Sequence, residues 1–330
     1  MARVTPITRQ ASAITARVPA KINLQLSVGP LRSDGYHDLV SVFHAVSLFD
    51  EVTVSPADRT SVVVTGEGRA DVPLGPTNLA VKAVAALAKA TRRRGRVASA
   101  VRIQIRKRIP VAAGLAGGSA DAAAALVACN ELWGSRCSGA ELGEIGAQLG
   151  SDVPFALLGG TAVGIGRGEQ LTRALVSGNY HWVLAFGTSG LSTPDVYAAY
   201  DRLRSARASG SSTPGSSPQA GTSPALSTEL MAALRSGDPA AVGPLLTNDL
   251  QPAALSLQPL LRRALAAGRE HGALGAIVSG SGPTCAFLAA DADAASELAV
   301  GITGAGVCRA VVQVCGPVPG ASLVDPVAAT

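Results

Sequence analysis

The residues best suited to chemistry form a glycine-rich segment between a predicted strand and a predicted helix. Residues 101–109 alternate apolar and polar side chains as a strand does, and the alanines after residue 119 favour a helix. Between them lie Pro110, Val111, Ala112, Ala113, Gly114, Leu115, Ala116, Gly117, Gly118, Ser119 and Ala120. Glycines let the backbone approach an anion closely, and the unpaired N–H groups of a first helical turn favour negative charge. The segment predicts a phosphate-binding loop; the alternative is a tight turn that binds nothing.

Two better-known phosphate motifs do not occur in the sequence. No Gly-Lys-Ser or Gly-Lys-Thr is present, which excludes a Walker A loop, and no Gly-x-Gly-x-x-Gly lies between a strand and a helix, which excludes the dinucleotide-binding fingerprint. The glycine-rich segment therefore needs support from other parts of the chain.

A carboxylate and an ammonium group are further candidates for chemistry. Asp152 follows Gly150 at a predicted helix start, where it could accept the proton of an attacking hydroxyl or simply face the helix dipole. Lys21 lies in an apolar strand, where a charge costs free energy unless it is paired. The alternative for Lys21 is an edge position from which it reaches solvent.

The composition limits the class of protein. The chain has 330 residues, enough for two domains, and 47% hydrophobic residues, enough for their cores. Five cysteines without a Cys-x-x-Cys pattern favour reduced thiols, and no apolar run approaches the roughly 20 residues of a membrane span. With no apolar block of a signal peptide at the N-terminus, we expect a cytoplasmic protein without a membrane partner.

The net charge of +5 and the basic run at residues 91–96 raise the possibility of a nucleic-acid partner. The run follows a predicted helix, where cations meet the negative end of the helix dipole, and no aromatic residues are interleaved for base stacking. We therefore expect no nucleic-acid partner. A positive balance also suits an enzyme whose substrates carry phosphates.

The chain pattern predicts an α+β protein. Strands are predicted over residues 18–28, 40–54, 182–186, 275–278, 284–289 and 307–314, and helices over residues 78–90, 256–267 and 292–303. Thr77 is predicted to cap the first of these helices, and Pro194 to begin another. Residues 1–16 and the Ser/Pro/Gly-rich residues 205–224 are predicted to be flexible.

Five segments occur in a fixed order that resembles a known superfamily. They are Pro19-Ala20-Lys21-Ile22-Asn23-Leu24, Asp34-Gly35-Tyr36-His37, the glycine-rich loop, Gly150-Ser151-Asp152-Val153-Pro154-Phe155 and Ser279-Gly280-Ser281-Gly282-Pro283-Thr284. Over residues 17–316 they resemble the GHMP kinases, the superfamily of galactokinase and of homoserine, mevalonate and phosphomevalonate kinases. The first, second and fourth segments resemble its branch that phosphorylates the 2-hydroxyl of 4-diphosphocytidyl-2-C-methyl-D-erythritol in the non-mevalonate isoprenoid pathway.

The resemblance implies a two-domain architecture. Residues 17–165 would form an N-terminal domain like the second domain of ribosomal protein S5, and residues 166–330 a ferredoxin-like C-terminal domain, with a boundary near residues 164–168. The cleft between the two domains would hold both substrates.

The resemblance also implies roles for individual residues. Asp152 would be the catalytic base and Lys21 its partner, which lowers the pKa of the attacked hydroxyl. The glycine-rich loop would hold the phosphates of ATP, with Ser119 offering its hydroxyl to phosphate or Mg²⁺, and Asn78 would contact the adenine side. No protein ligand of Mg²⁺ is predicted, and the spacing of the histidines does not suggest a metal site.

The acceptor, which has a cytidine diphosphate head, would be bound by several further residues. The implied contacts are Asn23, Tyr36, His37, Tyr197, Gly280, Ser281 and Gly282. Tyr36 and His37 would contact the cytosine ring, and Tyr197 would close on it from the other side. Taken alone, a Tyr-His pair after a turn or a Gly-Ser-Gly sequence would be ordinary turn structure.

The sequence departs from the superfamily pattern within the loop. Ala112, Ala113 and Ala116 stand where many members have glycine, and we expect a negative φ at each because residues with a side chain avoid positive φ. Asp121 is expected to cap the helix or to lie near the metal. Three alternative functions remain: a homoserine or mevalonate kinase, a non-catalytic nucleotide-binding homologue, and a basic nucleic-acid-binding module.

Overall fold

The computed structural model describes residues 13–210 and 223–324. The strands in these residues are β1 (Ile14–Leu31), β2 (His37–Pro56), β3 (Ser61–Gly66), β4 (Val101–Lys107), β5 (Thr161–Gly166), β6 (Gln170–Arg173), β7 (Tyr180–Phe186), β8 (Thr247–Asn248), β9 (Gly275–Val278), β10 (Cys285–Ala289), β11 (Ala310–Gly316) and β12 (Ser322–Leu323). The helices are α1 (Leu79–Arg93), α2 (Gly117–Leu132), α3 (Gly139–Ala147), α4 (Val153–Leu158), α5 (Thr193–Gly210), α6 (Thr228–Ser236), α7 (Pro239–Val242), α8 (Gln251–Leu257), α9 (Leu260–Glu270) and α10 (Ala292–Gly304).

An eight-stranded sheet is built around the long antiparallel pair of β1 and β2. One path through it runs β12-β1-β2-β4-β3, while β5 and β8 pair with β2 and β1, and β6 with β5. In β4 every second side chain is buried, from Val101 through Ile103 and Ile105 to Lys107. This period of two is the one that a half-buried strand requires.

Helix α2 lies against this sheet and carries the residues that follow the glycine-rich loop. It contacts β1, β2, α1 and α4, and its alanines are buried around most of its circumference. Because alanine side chains are small, neighbouring elements can approach the helix backbone closely on several sides. Packing on several sides therefore fixes the position of α2 and of the residues at its start.

A four-stranded antiparallel sheet has the order β11-β7-β10-β9. In chain order its elements are β7, α9, β9, β10, α10 and β11. One face, with Phe287, packs on Leu261 of α9 and Leu298 of α10. The other face, with Trp182 and Leu288, joins the core of the larger sheet. The two sheets consequently share a continuous hydrophobic core, and β6, β8 and β12, which all follow residue 166, belong to the larger sheet.

Several predicted boundaries are corrected by the structure. The helix predicted over residues 256–267 is two helices, because Gln258, which precedes Pro259, leaves helical geometry at φ −132° and ψ 83°. The strand predicted over residues 307–314 runs instead from Ala310 to Gly316. The predicted cap Thr77 is wrong by one position, since Asn78 is the residue whose side chain caps α1.

The two stretches predicted to be flexible fall partly outside the described residues. Residues 1–12 and 211–222 lie there, and their flexibility stays a prediction. The remaining residues of these stretches are partly ordered: β1 already begins at Ile14, and α5 continues to Gly210.

Candidate active site

A cavity of about 940 Å³ brings most of the predicted site residues together. Those that line it are Lys21, Asn23, Tyr36, His37, Asn78, Pro110, Val111, Ala112, Ala113, Gly114, Ala116, Gly117, Gly118, Ser119, Asp152, Tyr197, Gly280 and Ser281. The predicted residues that do not line it are Leu115 and Ala120, which are buried in the core, and Gly282, whose N–H donates to the carbonyl of Ser279.

The glycine-rich loop contains three left-handed residues at alternate positions. Ala112, Gly114 and Ala116 have φ of 50°, 76° and 59°. The expectation of a negative φ at each alanine is therefore wrong for Ala112 and Ala116. Each such alanine costs on the order of 1–2 kcal/mol relative to a right-handed conformation. The packed surroundings impose this strain, and strain of this kind concentrates at functional sites.

The loop packs tightly against residues 279–284 of the C-terminal half. A Cβ atom on Gly114 would lie 2.2 Å from the carbonyl oxygen of Ser279, so no larger residue fits there. The Ser279 hydroxyl donates to the Gly114 carbonyl at 3.2 Å, and the N–H of Thr284 donates to the Ala113 carbonyl at 3.4 Å. Glycine at position 114 is thus required both by its φ and by this contact.

The first turn of α2 follows the loop without a side-chain cap. Ala116 is the N-cap residue, and no side chain accepts a hydrogen bond from the N–H groups of the first turn. These N–H groups, together with the positive end of the helix dipole, form an anion-binding arrangement at the cavity wall. Ser119 lies in the same turn and also faces the cavity.

Lys21 and Asn23 lie side by side on β1. The Lys21 ammonium donates to the side-chain oxygen of Asn23 at 2.6 Å, and the Asn23 amide donates to the hydroxyl of Ser41 at 2.8 Å. All three side chains are buried. Burial lowers the pKa of Lys21, whereas the negative charge of Asp152 acts in the opposite direction. The structure therefore contains the buried and paired lysine that the sequence suggested, but its direct partner is Asn23.

Asp152 stands at the cavity wall just before α4. It occupies the N-cap position, but its side chain makes no capping hydrogen bond. The carboxylate is thus not engaged in a cap, although its place before the first turn also lets it face the helix dipole, which was the alternative role for it. No ion pair joins Asp152 to Lys21 among the described residues, and the two groups interact through the electrostatic field alone.

Another part of the cavity wall is aromatic. The rings of His37 and Tyr197 stack with centroids 5.2 Å apart and planes inclined by 26°. A base needs about twice the normal stacking distance to enter between two rings, so it cannot lie between these two. His37 is fixed through Nδ1, which lies 2.9 Å from the carbonyl oxygen of Gly29 and, as the partner of an acceptor, carries a proton. Its Nε2 lies 3.5 Å from a carboxylate oxygen of Asp201.

Tyr36 offers a free aromatic face in the same part of the wall. Its side chain is exposed, and the guanidinium of Arg167 lies over its ring at 5.0 Å from the centroid. Arg167 sits between Gly166 and Gly168, which have φ of 75° and 100° and make the tight turn between β5 and β6. Sequence analysis missed Arg167, because only the pairing of β2 with β5 brings this turn beside Tyr36.

A buried group of charges lies beneath the loop and was also missed. Lys107, at the end of β4, donates to carboxylate oxygens of Asp50 and Asp121. Asp50 also accepts hydrogen bonds from the backbone N–H groups of Arg108 and Ile109, just before the loop. Burial raises the pKa of Asp121 to about 8, the charge of Asp50 adds to the rise, and Lys107 opposes it. Asp121 therefore does not cap α2: one carboxylate oxygen pairs with Lys107, which joins the helix to the strand that leads into the loop, and the other has no partner among the described residues. Asp121 also lines the cavity, and a place near the metal stays a prediction.

Asn78 is tied into the backbone at the edge of the cavity. Its side-chain oxygen accepts from the N–H of Ala80 at 2.8 Å, and its amide donates to the carbonyl of Pro73 at 2.8 Å. Asn78 lines the cavity, and its contact with the adenine side of a nucleotide stays a prediction.

Two further classes of feature do not occur in the part of the chain that the structure describes. There is no group of three or more His, Cys, Asp or Glu side chains arranged to hold a metal ion. No helix within residues 13–210 and 223–324 has the length and apolar character needed to cross a membrane.

Comparison with known proteins agrees with the geometry of the site. Residues 78–160 match the GHMP kinases N terminal domain, and residues 230–307 match the GHMP kinases C terminal family. The first match includes the whole glycine-rich loop and Asp152. The crystal structure of homoserine kinase from Cytophaga hutchinsonii superposes on this chain with a TM-score of 0.68 at 18% identity, and the match covers 98% of this chain and 100% of that one. At this identity the match shows a shared fold alone.

Relatives of higher identity narrow the family. The 4-diphosphocytidyl-2-C-methyl-D-erythritol kinase of Nocardia farcinica is 55% identical over 315 residues, which cover 96% of this chain and 97% of that protein. The enzyme of the same name from Thermobifida fusca is 53% identical over 321 residues, which cover 95% of this chain and 99% of that protein. A crystal structure of 4-(cytidine 5'-diphospho)-2C-methyl-D-erythritol kinase superposes with a TM-score of 0.71 at 31% identity, covering 91% of this chain and 98% of that one. The chain with this cavity and these relatives belongs to the 4-diphosphocytidyl-2-C-methyl-D-erythritol kinase family of the GHMP kinases.

Proposed function

We propose that the protein transfers the γ-phosphoryl group of ATP to the 2-hydroxyl of 4-diphosphocytidyl-2-C-methyl-D-erythritol in the non-mevalonate isoprenoid pathway. The hydroxyl oxygen forms a bond to the γ-phosphorus, the bond from this phosphorus to the β-phosphate oxygen breaks, and ADP leaves. The hydroxyl proton passes to a carboxylate. The observation that carries the proposal is the convergence of Lys21, Asp152 and the glycine-rich loop on one cavity with a partly aromatic wall.

The donor side of the cavity suits a nucleotide triphosphate. The loop backbone and the uncapped first turn of α2 supply N–H groups for the phosphates. Asn78 would lie on the adenine side. Phosphoryl transfer asks a protein mainly to position the phosphates and to offset their charge, and this wall of the cavity can do both.

ATP is expected to react as its magnesium complex, in which the ion offsets phosphate charge. Mg²⁺ usually keeps several waters and is held by substrate phosphates with one or two protein ligands. The hydroxyl of Ser119 would hold it: a Cβ atom on Gly150 would lie only 3.7 Å from that oxygen, which places it beside the turn that carries Asp152.

Asp152 would accept the proton of the attacked hydroxyl, since its carboxylate faces the cavity and is not engaged in capping. Lys21 would place a positive charge beside that hydroxyl and lower its pKa. Because Asn23 is the direct partner of Lys21, the carboxylate remains available as a base.

The acceptor side would bind the cytidine diphosphate head. The stacked pair of His37 and Tyr197 has no room for a base between its rings. The cytosine would therefore stack on Tyr36 or on the outer face of Tyr197, with His37 as a polar contact. Gly280 and Ser281 would close the acceptor side next to Asn23.

The wider architecture is part of the proposal. We infer an N-terminal domain like the second domain of ribosomal protein S5 over residues 17–165 and a ferredoxin-like domain over residues 166–330, with the substrates in the cleft between them. The order of strands and helices in the four-stranded sheet supports the second assignment. Five free cysteines and the use of ATP support a cytoplasmic location.

A panel of acceptors in an ADP-release assay tests the proposal. The protein would be incubated with Mg-ATP and, separately, with 4-diphosphocytidyl-2-C-methyl-D-erythritol, homoserine, mevalonate and phosphomevalonate. We expect ADP release to rise at least a hundredfold above background with the cytidyl substrate alone. Release with homoserine or mevalonate instead would contradict the assignment, and release with none of them would support a non-catalytic homologue.

A further inference from the structure

We propose that Ser41 is a positioning residue that holds Lys21 in place through Asn23. The proposal rests on the proposed function for the role of Lys21 in phosphoryl transfer. Ser41 does not line the cavity and its side chain is fully buried. It would therefore act without touching either substrate.

The three residues form a continuous chain of hydrogen bonds. The Lys21 ammonium donates to Asn23 at 2.6 Å, the Asn23 amide donates to Ser41 at 2.8 Å, and the Ser41 hydroxyl donates to the backbone carbonyl of Gln25 at 3.0 Å. The relay, defined as Lys21, Asn23, Ser41 and the Gln25 carbonyl, runs from the cavity wall into the core of the larger sheet.

The direction of the relay is fixed at both ends. A carbonyl oxygen can only accept, so the single proton of the Ser41 hydroxyl points to Gln25. The hydroxyl can then only accept from Asn23, which turns the NH₂ end of that amide toward Ser41. The oxygen of Asn23 must face Lys21, whose ammonium can only donate. Ser41 and Lys21 thus require the same orientation of the Asn23 amide, and Ser41 holds that orientation from the side away from the lysine.

A β-bulge makes this geometry possible. The pairing of β1 with β2 shifts between Asn23 and Gln25, so that Asn23 lies opposite Phe43 while Gln25 lies opposite Val42. The extra residue on β1 is Leu24. Bulges redirect side chains and backbone groups, and they are common beside active sites. Here the bulge lets one hydroxyl reach both the Asn23 amide and the Gln25 carbonyl.

The backbone of Gly280 lies close to the pair of Lys21 and Asn23 and leaves little room for a side chain there. A Cβ atom on Gly280 would lie 3.2 Å from Nζ of Lys21 and 3.3 Å from the side-chain oxygen of Asn23. Gly280 is itself held because the Asn248 amide donates to its carbonyl at 2.8 Å. The hydrogen bond to Asn23, which Ser41 holds in turn, therefore fixes the position of the Lys21 ammonium in the cavity wall.

Kinetics of Ser41→Ala test the relay, with Ser27→Ala as a matched control. Ser27 lies on β1, the strand paired with the one that carries Ser41, and its hydroxyl accepts from the Gln25 amide at 2.9 Å, but no hydrogen bond joins it to Lys21 or Asn23. We expect Ser41→Ala to lower kcat at least about tenfold with both KM values within about threefold, and Ser27→Ala to keep kcat within about twofold. If the alanine variant does not fold, Ser41→Cys replaces it, because cysteine is close to serine in volume but is a weak donor and acceptor. The kcat of Ser41→Cys should also lie below that of the parent.

A double-mutant cycle separates positioning from general structure. If Ser41 acts through Asn23, then Ser41→Ala should change kcat less than about twofold in an Asn23→Ala background. The proposal would be overturned if Ser41→Ala lowered kcat equally in both backgrounds. It would also be overturned if Ser41→Ala alone kept the kcat of the parent enzyme.

A second measurement does not depend on turnover. Carbamylation of Lys21 by cyanate, followed by peptide mass spectrometry across pH, reports the pKa of its amine, with exposed Lys82 as an internal reference. Asp152 is the charged group whose field acts on Lys21. We expect Ser41→Ala to lower the pKa of Lys21, because the ammonium loses a well-placed acceptor, and to leave Lys82 unchanged. If the pKa of Lys21 is unchanged in Ser41→Ala, the relay is overturned, whichever acceptor the parent enzyme phosphorylates. If the pKa shifts as expected but the parent enzyme is inactive, only the proposed function is contradicted.

Discussion

The ammonium of Lys21 donates to the side-chain oxygen of Asn23 at 2.6 Å and makes no direct ion pair with Asp152. A carboxylate locked onto a lysine would be a weaker base, because the ion pair stabilises its charged form. The observed arrangement separates two tasks: Asn23 holds the cation, and Asp152 is left to accept a proton.

Replacement of Asp152 by Asn tests the second task. The amide keeps the size of the side chain but cannot accept the hydroxyl proton, so we expect kcat to fall by about 10²–10⁴, the usual contribution of a general base. Binding of both substrates should be retained, because the loop and the aromatic part of the wall are unchanged. Steady-state kinetics with calorimetric binding of ATP would check both expectations, and near-normal turnover would show that Asp152 is not the base.

Tyr197 is expected to serve the acceptor alone. Its ring stacks on that of His37 and lines the cavity. Tyr197→Ala should raise the KM for the cytidyl substrate about tenfold or more and change the KM for ATP less than twofold. Tyr197→Phe, which keeps the ring, should leave both values near those of the parent. A larger effect on the KM for ATP would remove Tyr197 from the acceptor side.

Glycine substitutions at two alanines of the loop should change the stability of the protein in opposite directions. Ala116 has φ of 59°, whereas Ala113 is absent from the residues of positive φ. Ala116→Gly should raise the free energy of unfolding by up to about 1 kcal/mol, since relief of strain of about 1–2 kcal/mol exceeds the entropic cost of glycine. Ala113→Gly should lower it by roughly 0.5–1 kcal/mol. Urea denaturation measures both, and the same sign for the two variants would contradict the strained geometry.

His44 should make the protein less stable in mild acid. Burial lowers its pKa from 6.5 to about 3. Below pH 6.5 the unfolded chain therefore binds a proton that the folded chain does not, so stability falls as the pH falls. Between pH 7 and 4.5 this group should cost roughly 2–3 kcal/mol.

His44→Gln removes this titration and keeps a polar partner for Thr161, which lies 2.8 Å from His44. We expect urea denaturation of this variant to show a smaller loss of stability at pH 4.5 than in the parent. The control His271→Gln changes an exposed residue and should lose as much stability at pH 4.5 as the parent does. Equal losses in all three proteins would show that His44 is protonated in the folded state.

The functional residues that could be predicted from the sequence are those whose signal is local. The glycine-rich loop is one continuous segment, and Lys21 stands out as a charge in an apolar strand. Lys107 also carried a signal, since the alternation of buried residues along β4 continues to it. Its partners Asp50 and Asp121 lie 57 and 14 residues away along the chain, so the strand pattern could show a buried charge but not what pairs with it.

Features that depend on register could not be predicted. Ser41 reaches Asn23 only because a bulge shifts the pairing of β1 with β2, and Arg167 reaches Tyr36 only because β2 pairs with β5. Strands of two to four residues, such as β6, β8 and β12, are too short to show a period. The sign of φ at Ala112 and Ala116 is likewise set by the packing around the loop and not by the residue type.

Phosphorus NMR of the product tests the central claim most directly. The protein would be incubated with Mg-ATP and 4-diphosphocytidyl-2-C-methyl-D-erythritol, with the Asp152→Asn variant in parallel. We expect a new phosphomonoester signal on the methylerythritol end, equal in amount to the ADP formed, together with an unchanged diphosphate bridge, and almost no such signal with the variant. Loss of ATP without a new phosphomonoester, or an equal signal from the variant, would contradict the account.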